Sequence, residues 1–139
     1  MDHIAIMHDG PLDALLDGRK TIESRWSVRR SAPYGRVHSG DTIYFKRSGG
    51  LVEAYAPVRD VVTFDNLNEV SAERVLRQHY QKLGASVASL RDYAQGKKYC
   101  TLIFLEKAHK TTPFAIDRAG FAAAAGWRCL ERGIASVRK

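Results

Sequence analysis

Lys20, Glu23 and Arg25 fall within six residues of one another and are the side chains of this chain best equipped for chemistry. A carboxylate can accept a proton, a guanidinium can grip a phosphate through two parallel hydrogen bonds, and an ammonium can stabilise developing negative charge. Side chains alternate along an extended backbone, so a strand over residues 21–26 aims Thr21, Glu23 and Arg25 to one side and Ile22 and Trp26 to the other. A structural ion pair between Glu23 and Arg25, with Lys20 in solvent, uses the same residues and stays open at this point.

The surrounding pattern supplies elements that could position them. Residues 3–7 read as a short strand with Ile4 and Ile6 inward. A helix capped by Asp9 or Gly10 follows, with Pro11 in its first turn, Leu12, Leu15 and Leu16 on one face and Gly18 as its stop. That helix delivers Lys20 to the mouth of the strand carrying Glu23 and Arg25. Residues 27–38 form a basic loop broken by Pro33 and Gly35. Residues 42–46 alternate as a strand, and Arg47-Ser48-Gly49-Gly50 turns into a long extended segment over 51–63, interrupted by Pro57. Asn68 caps a helix to Leu83 closed by Gly84, and Ser86 starts a shorter one ending at Gly96. Residues 99–105 are apolar on both faces apart from Thr101, as in a central strand. The tail reads as a helix over 119–125 and a last strand over 127–130. Mixed α/β (α+β) architecture follows, with a small curved sheet or open barrel and helices at its ends.

At 139 residues, 45% hydrophobic and 27% charged, the composition is that of one globular domain. Residues 1–139 are read as that domain, with 107–139 as a less defined C-terminal extension. No apolar run approaches the roughly 18 residues of a membrane span, and the acidic start Met1-Asp2-His3 is unlike a leader segment; a cytoplasmic location is expected. Cys100 and Cys129 are far apart and read as core thiols, and the five histidines form no recognisable ligand set, so neither a metal nor another cofactor is expected. The net charge of +7 favours a polyanionic partner, and its distribution sharpens this. Arg19, Lys20, Arg25, Arg29, Arg30, Arg36, Lys46 and Arg47 are opposed in that stretch only by Glu23 and Asp41.

Gly18, Lys20, Glu23 and Arg25 fit G-x-K-x-x-E-x-R, the signature of the ASCH family in the PUA-like superfamily. Pro33-Tyr34-Gly35, the run from Gly40 to Lys46, Ser48-Gly49-Gly50 and the run from Lys98 to Phe104 also resemble that family in order and spacing, covering the chain from about Ile4 to Glu106. The resemblance implies a PUA-like β-barrel with the motif bordering a cleft, and a superfamily commonly engaged with RNA or modified nucleosides.

Activities differ within the family, and a fold does not choose among them. Some members bind RNA, some are reported as ribonucleases, and one bacterial branch hydrolyses N4-acetylcytidine with a lysine and a threonine. That threonine falls where this chain has Glu23, which counts against the amidohydrolase; Thr21 lies two residues away. The leading expectation is a basic cleft that binds single-stranded RNA, with metal-free cleavage by Lys20, Glu23 and Arg25 left open and Thr21 joining Lys20 and Glu23 only in the nucleoside enzyme. An enzyme acting on a modified nucleoside is the alternative. For RNA, Arg19, Arg29, Arg30, Lys46 and Arg47 would hold phosphates, Ser48 would contact the ligand from the glycine-rich tip, and Tyr34 would stack on a base. Trp26 shares parity with Ile22 and is read as core.

Overall fold

The computed structural model describes residues 1–119, 121 and 126–139. Among these, seven strands build one mixed sheet in the order β2-β5-β4-β3-β1-β7, with β6 pairing β4 off that path. The strands are β1 (Asp2–Met7), β2 (Ile22–Ser27), β3 (Thr42–Arg47), β4 (Val52–Phe64), β5 (Tyr99–Leu105), β6 (His109–Phe114) and β7 (Trp127–Leu130). Only the β1–β3 pair is parallel. The long β4 organises the sheet: its first half pairs with β3 and β6, and its second half with β5. A register shift between Val58 and Asp60 falls where the partner changes. Such irregularities bend and twist a strand. The sheet curls until its edge strand β2 returns to β1, where Arg25 Nη2 donates to the Ile6 carbonyl at 3.0 Å.

Among the described residues three α-helices cover it, α1 (Asp9–Leu16), α2 (Glu69–Leu83) and α3 (Val87–Ala94), and a 3-10 turn spans Ile134–Ser136. His8, rather than Asp9 or Gly10, is the N-cap of α1, and Asp9 sits in its first turn, where a carboxylate faces the positive end of the helix. α2 has the expected start and stop. Asn68 and Ser71 cap each other's backbone N–H groups, and Gly84 ends the helix in the left-handed conformation.

The core falls into three parts. Inside the curl lie Ala5, Met7, Leu12, Ile43, Phe45, Ile103 and Trp127. Between β2, β5 and the helices α2 and α3 lie Ile22, Trp26, Leu76, Leu83 and Leu102, so Trp26 is core as its parity requires. Ile4, Val52, Phe114 and Leu130 form the third, on the opposite face of the sheet. Ile4 thus points away from the curl interior, and Ala5 and Met7 fill it instead, because both faces of β1 are covered.

β6 was not foreseen. Its sequence is polar, four of its six residues are exposed, and it pairs with β4, so hydrophobic alternation carries no trace of it. The segment after residue 107, read from the sequence as an extension, contributes β6 and β7 to this sheet. The helix expected over 119–125 lies largely outside the described residues.

Gly84 also fixes where α2 ends relative to the motif. Its φ is +74°, and an added Cβ would stand 2.8 Å from Lys20 Cβ and 3.2 Å from Ala14 Cβ. Gly84→Ala is expected to cost about 2–5 kcal/mol, combining left-handed strain with overpacking. Urea unfolding of the two proteins measures it, and a loss under about 1 kcal/mol would mean that the α2 terminus can move off Lys20.

Candidate functional site

α1 ends at Leu16, Gly18 turns the chain in the left-handed conformation, and the next residues enter β2, which brings Lys20, Glu23 and Arg25 together as the spacing predicts. Lys20 and Glu23 are each only 5% exposed. Lys20 Nζ stands 3.5 Å from Glu23 Oε1, and Arg25 Nη2 stands 3.6 Å from Glu23 Oε2. The carboxylate is therefore held between two cations, as in a structural ion pair, but Lys20 is not in solvent. Its ammonium donates to the carbonyls of Ile22 at 2.9 Å and Leu83 at 3.0 Å, satisfying an orphan carbonyl at the negative end of α2. Lys20 thus faces the protein rather than a phosphate.

Glu23 Oε1 accepts from the Ser24 N–H at 2.8 Å, while Oε2 is buried without a hydrogen-bond partner among the described residues. Burial pushes the Glu23 carboxyl up; the charges of Lys20 and Arg25 and the Ser24 N–H outweigh it and leave the pKa below its ordinary value. Glu23 is accordingly an ionised group with one oxygen free to accept.

Arg25 joins this carboxylate to a cavity of about 590 Å³. Its guanidinium donates to the Gly126 carbonyl at 3.1 Å and the Ile6 carbonyl at 3.0 Å, and lies 5.3 Å from the centre of the Trp127 ring. Arg25 Nε has no acceptor among the described residues. Arg25, Trp127, Thr101 and Tyr93 line the cavity from the sheet and α3, and Ser31, Ala32 and Pro33 line it from the basic loop. Glu23 stands behind Arg25 rather than in this wall. Thr101 is opposite Arg25 in the β2–β5 register. Tyr93 is half exposed, yet burial around its hydroxyl raises its pKa, with Arg25 opposing and Glu23 reinforcing. A larger groove of about 870 Å³ lies between the start of α2 and α3, but no motif residue lines it and its Glu73 and Arg91 neutralise each other at 2.6 Å.

The other expected residues are distributed unevenly. Thr21 is exposed, unlike its face-mate Glu23. Arg19 is paired with Asp17 at 2.7 Å. Arg47 is held by Glu53, Asp9 and Asp13 at 2.6, 2.8 and 3.0 Å, and these bonds raise its pKa. Lys46 is buried, its ammonium donates to the Arg47 carbonyl, and burial lowers its pKa. Ser48 is exposed at the glycine tip. Arg29, Arg30 and Arg36 are exposed and have no carboxylate partner among the described residues. Tyr34 is half buried, edge-on to Tyr99 at 5.1 Å.

Sequence reading missed Trp127, Thr101 and Tyr93. Thr101 had a visible signal as the one polar residue in an apolar run, whereas Trp127 and Tyr93 resembled ordinary core positions. His3 was also missed as a positioning residue. Trp127 Nε1 donates to His3 Nδ1 at 3.1 Å, so His3 must donate from Nε2 to Asp41 Oδ2 at 2.8 Å. Burial lowers the His3 pKa despite Asp41. Among the described residues, no cluster of three or more His, Cys, Asp or Glu could hold a metal ion, and no helix is long and apolar enough to cross a membrane.

The architecture matches the crystal structure of ASCH from Zymomonas mobilis with a TM-score of 0.72 at 20% identity, covering 94% of this chain and 88% of that one. A mutant form of the same protein gives 0.69 at 19% identity, over 94% and 91% of the two chains. The hypothetical protein PH0355 gives 0.56 at 17% identity, over 76% of this chain and 98% of that one. No protein-family model and no curated protein matches the chain. The chain has the ASCH fold, so the resemblance carried by the short motifs holds at the level of the fold.

Two outcomes follow for stability. Glu23→Gln leaves Lys20 buried and Arg25 half-buried without their counter-charge, and is expected to cost about 3–5 kcal/mol in chemical denaturation; a loss under about 1 kcal/mol would show that the carboxylate does not hold the site together. The His3 pKa in the folded protein lies below 6.5, so the unfolded chain binds the extra proton and stability falls as pH drops below 6.5. The depressed Glu23 carboxyl adds its own loss only below about 4.5. His3→Gln should flatten the stability profile below pH 6.5 and leave the acid limb, and an unchanged slope would contradict the lowered His3 pKa.

Proposed function

We propose that this protein binds single-stranded RNA and takes one nucleotide into the cavity beside Arg25. The observation that carries the reading is that a guanidinium anchored by a buried carboxylate shares a cavity wall with an indole, two hydroxyl-bearing side chains and the basic loop. A flat base fits against Trp127, a phosphate or base carbonyl can take hydrogen bonds from Arg25, and Thr101 and Tyr93 offer hydroxyls for edge recognition. Arg29, Arg30 and Arg36 stand outside as cations for the backbone, with no carboxylate partner among the described residues. Arg19, Lys46 and Arg47 have protein partners or are buried, so the phosphate-binding role narrows to that loop.

Polarisation measurements with labelled single-stranded RNA over a range of salt concentrations test this. Arg29→Ala/Arg30→Ala should reduce the slope of log affinity against log salt by about 0.7 for each phosphate that the variant no longer neutralises. An identical slope in wild type and variant removes the loop from the interface, and absence of RNA binding in the wild type overturns the proposal.

Cleavage is the second reading, and the unpaired Oε2 of Glu23 favours it. Oε2 is buried behind Arg25, so the step requires the guanidinium to swing aside; that oxygen would then take the proton of a ribose 2′-hydroxyl as the ribose oxygen attacks the adjacent phosphorus, the 5′-oxygen leaving with a proton from water. Lys20 is buried, with two of its three N–H groups given to carbonyls, and does not line the cavity, so Arg25 would carry the charge stabilisation. The depressed Glu23 pKa makes it a weak base, which places binding ahead of catalysis. Metal-free cleavage that falls about 100- to 10,000-fold in folded Glu23→Gln supports the enzyme; RNA left intact by the wild type over hours removes it. The cavity is also large enough for a modified nucleoside, and turnover of acylated cytidines by the wild type would move the assignment to an amidohydrolase.

A further inference from the structure

The nucleotide cavity has a neighbour along the same strands. Arg25 is opposite Thr101 in the β2–β5 register, and Ser27 is opposite Tyr99. These two pairs share one face of the sheet and are separated by about 6–7 Å, the length of two extended residues. Ser27 belongs to both places, since it lines the cavity and faces Tyr99.

Three groups gather at this second place. Tyr99 is half buried, the Tyr34 ring packs against it in a T-shaped pair with centres 5.1 Å apart, and the Arg30 guanidinium carbon lies 5.6 Å from the centre of the Tyr99 ring. The loop is held in this position by its own backbone. Ser27 Oγ donates to the Arg29 carbonyl at 2.6 Å, Ser31 N to the same carbonyl at 2.8 Å, and Tyr34 N to the Ser31 carbonyl at 3.0 Å. Lys98 N donates to the Ser27 carbonyl at 3.0 Å, which puts a further exposed cation at this end of the sheet. Ser31, Ala32 and Pro33 of the same loop form the outer wall of the cavity. One pinned loop therefore closes the cavity and carries the arginine and tyrosine of the neighbouring shelf.

We propose that Tyr99, Tyr34 and Arg30 form a second nucleotide subsite, so that the ligand is a strand of at least two consecutive nucleotides rather than a free nucleoside. This rests on the reading that the Arg25 cavity accepts a nucleotide. The second base lies against the Tyr99 ring. Arg30, which has no carboxylate partner among the described residues, holds the phosphate linking it to the first. A ring and a guanidinium in contact suit any base, because every base offers a π-face and every linkage a charge. The subsite therefore selects for chain length, and base selection is left to the cavity.

Calorimetric titration of the full chain with the four nucleoside 5′-monophosphates and with the four 5′-phosphorylated homodinucleotides tests this. At least one dinucleotide should bind about 5- to 150-fold more tightly than its mononucleotide, the range expected for one stacked base. That ratio should collapse toward one in Tyr99→Leu and fall in Arg30→Ala. Equal binding of mono- and dinucleotides, or a ratio that survives both substitutions, overturns the second subsite while leaving the cavity reading intact. Failure of both ligand classes to bind overturns the cavity reading and the subsite with it. Arg30 is exposed, so Arg30→Ala decides the question alone if Tyr99→Leu does not fold.

Discussion

Glu23 is ionised inside the protein, and an ionised carboxylate in the interior must bring its counter-charges with it. Lys20 and Arg25 stand on either side of it, and each cation has a second duty that ties a separate part of the chain to the carboxylate. Lys20 reaches back to the Leu83 carbonyl and so fixes the end of α2. Arg25 reaches across the curl to Ile6 and Gly126 and holds the edge strand β2 against β1. The same three residues that could do chemistry are thus those that close the sheet. Functional and structural readings of the motif are two descriptions of one charge arrangement, and removing Glu23 disturbs both, which is why the folded state of the variant has to be checked first.

From Arg25 the network continues to the other side of the interior. The guanidinium lies over Trp127, the indole donates to His3, and His3 donates to Asp41. An indole N–H can only donate, so this chain of interactions requires a neutral imidazole with its proton on Nε2. The cavity wall is in this way held by a histidine that does not touch the cavity. Burial keeps that histidine neutral, and the orientation of Trp127 depends on its remaining so.

Total charge and functional charge differ in this protein for a local reason. The basic stretch between Arg19 and Arg47 is nearly uniform in sequence, but folding brings carboxylates from elsewhere to several of its members. Asp17 takes Arg19, Asp9, Asp13 and Glu53 take Arg47, and Lys46 turns inward. What remains free is the loop between β2 and β3, which also walls the cavity. The +7 net charge alone predicts an affinity for polyanions; the pairing pattern selects the face that would express it.

Much of the architecture was legible because local rules and burial agree. Alternation gave β2 and β3, a run apolar on both faces gave β5, Asn68 and Gly84 bounded α2, and the G-x-K-x-x-E-x-R spacing placed Glu23 and Arg25 on one face through strand geometry alone. Sequence could not show β6, whose exposed polar residues carry no hydrophobic period, or the direction of β1, because a strand covered on both faces has no distinguishable inside. Nor could it show that Lys20 is buried on a helix end, that Arg47 is spoken for by three acids, or that Trp127 and Tyr93 meet Arg25 from more than sixty residues away. Those facts depend on which strand edges and helix ends meet when the sheet curls. Residue type and spacing determined what each group could do; long-range packing decided which groups still had a hydrogen bond left to give.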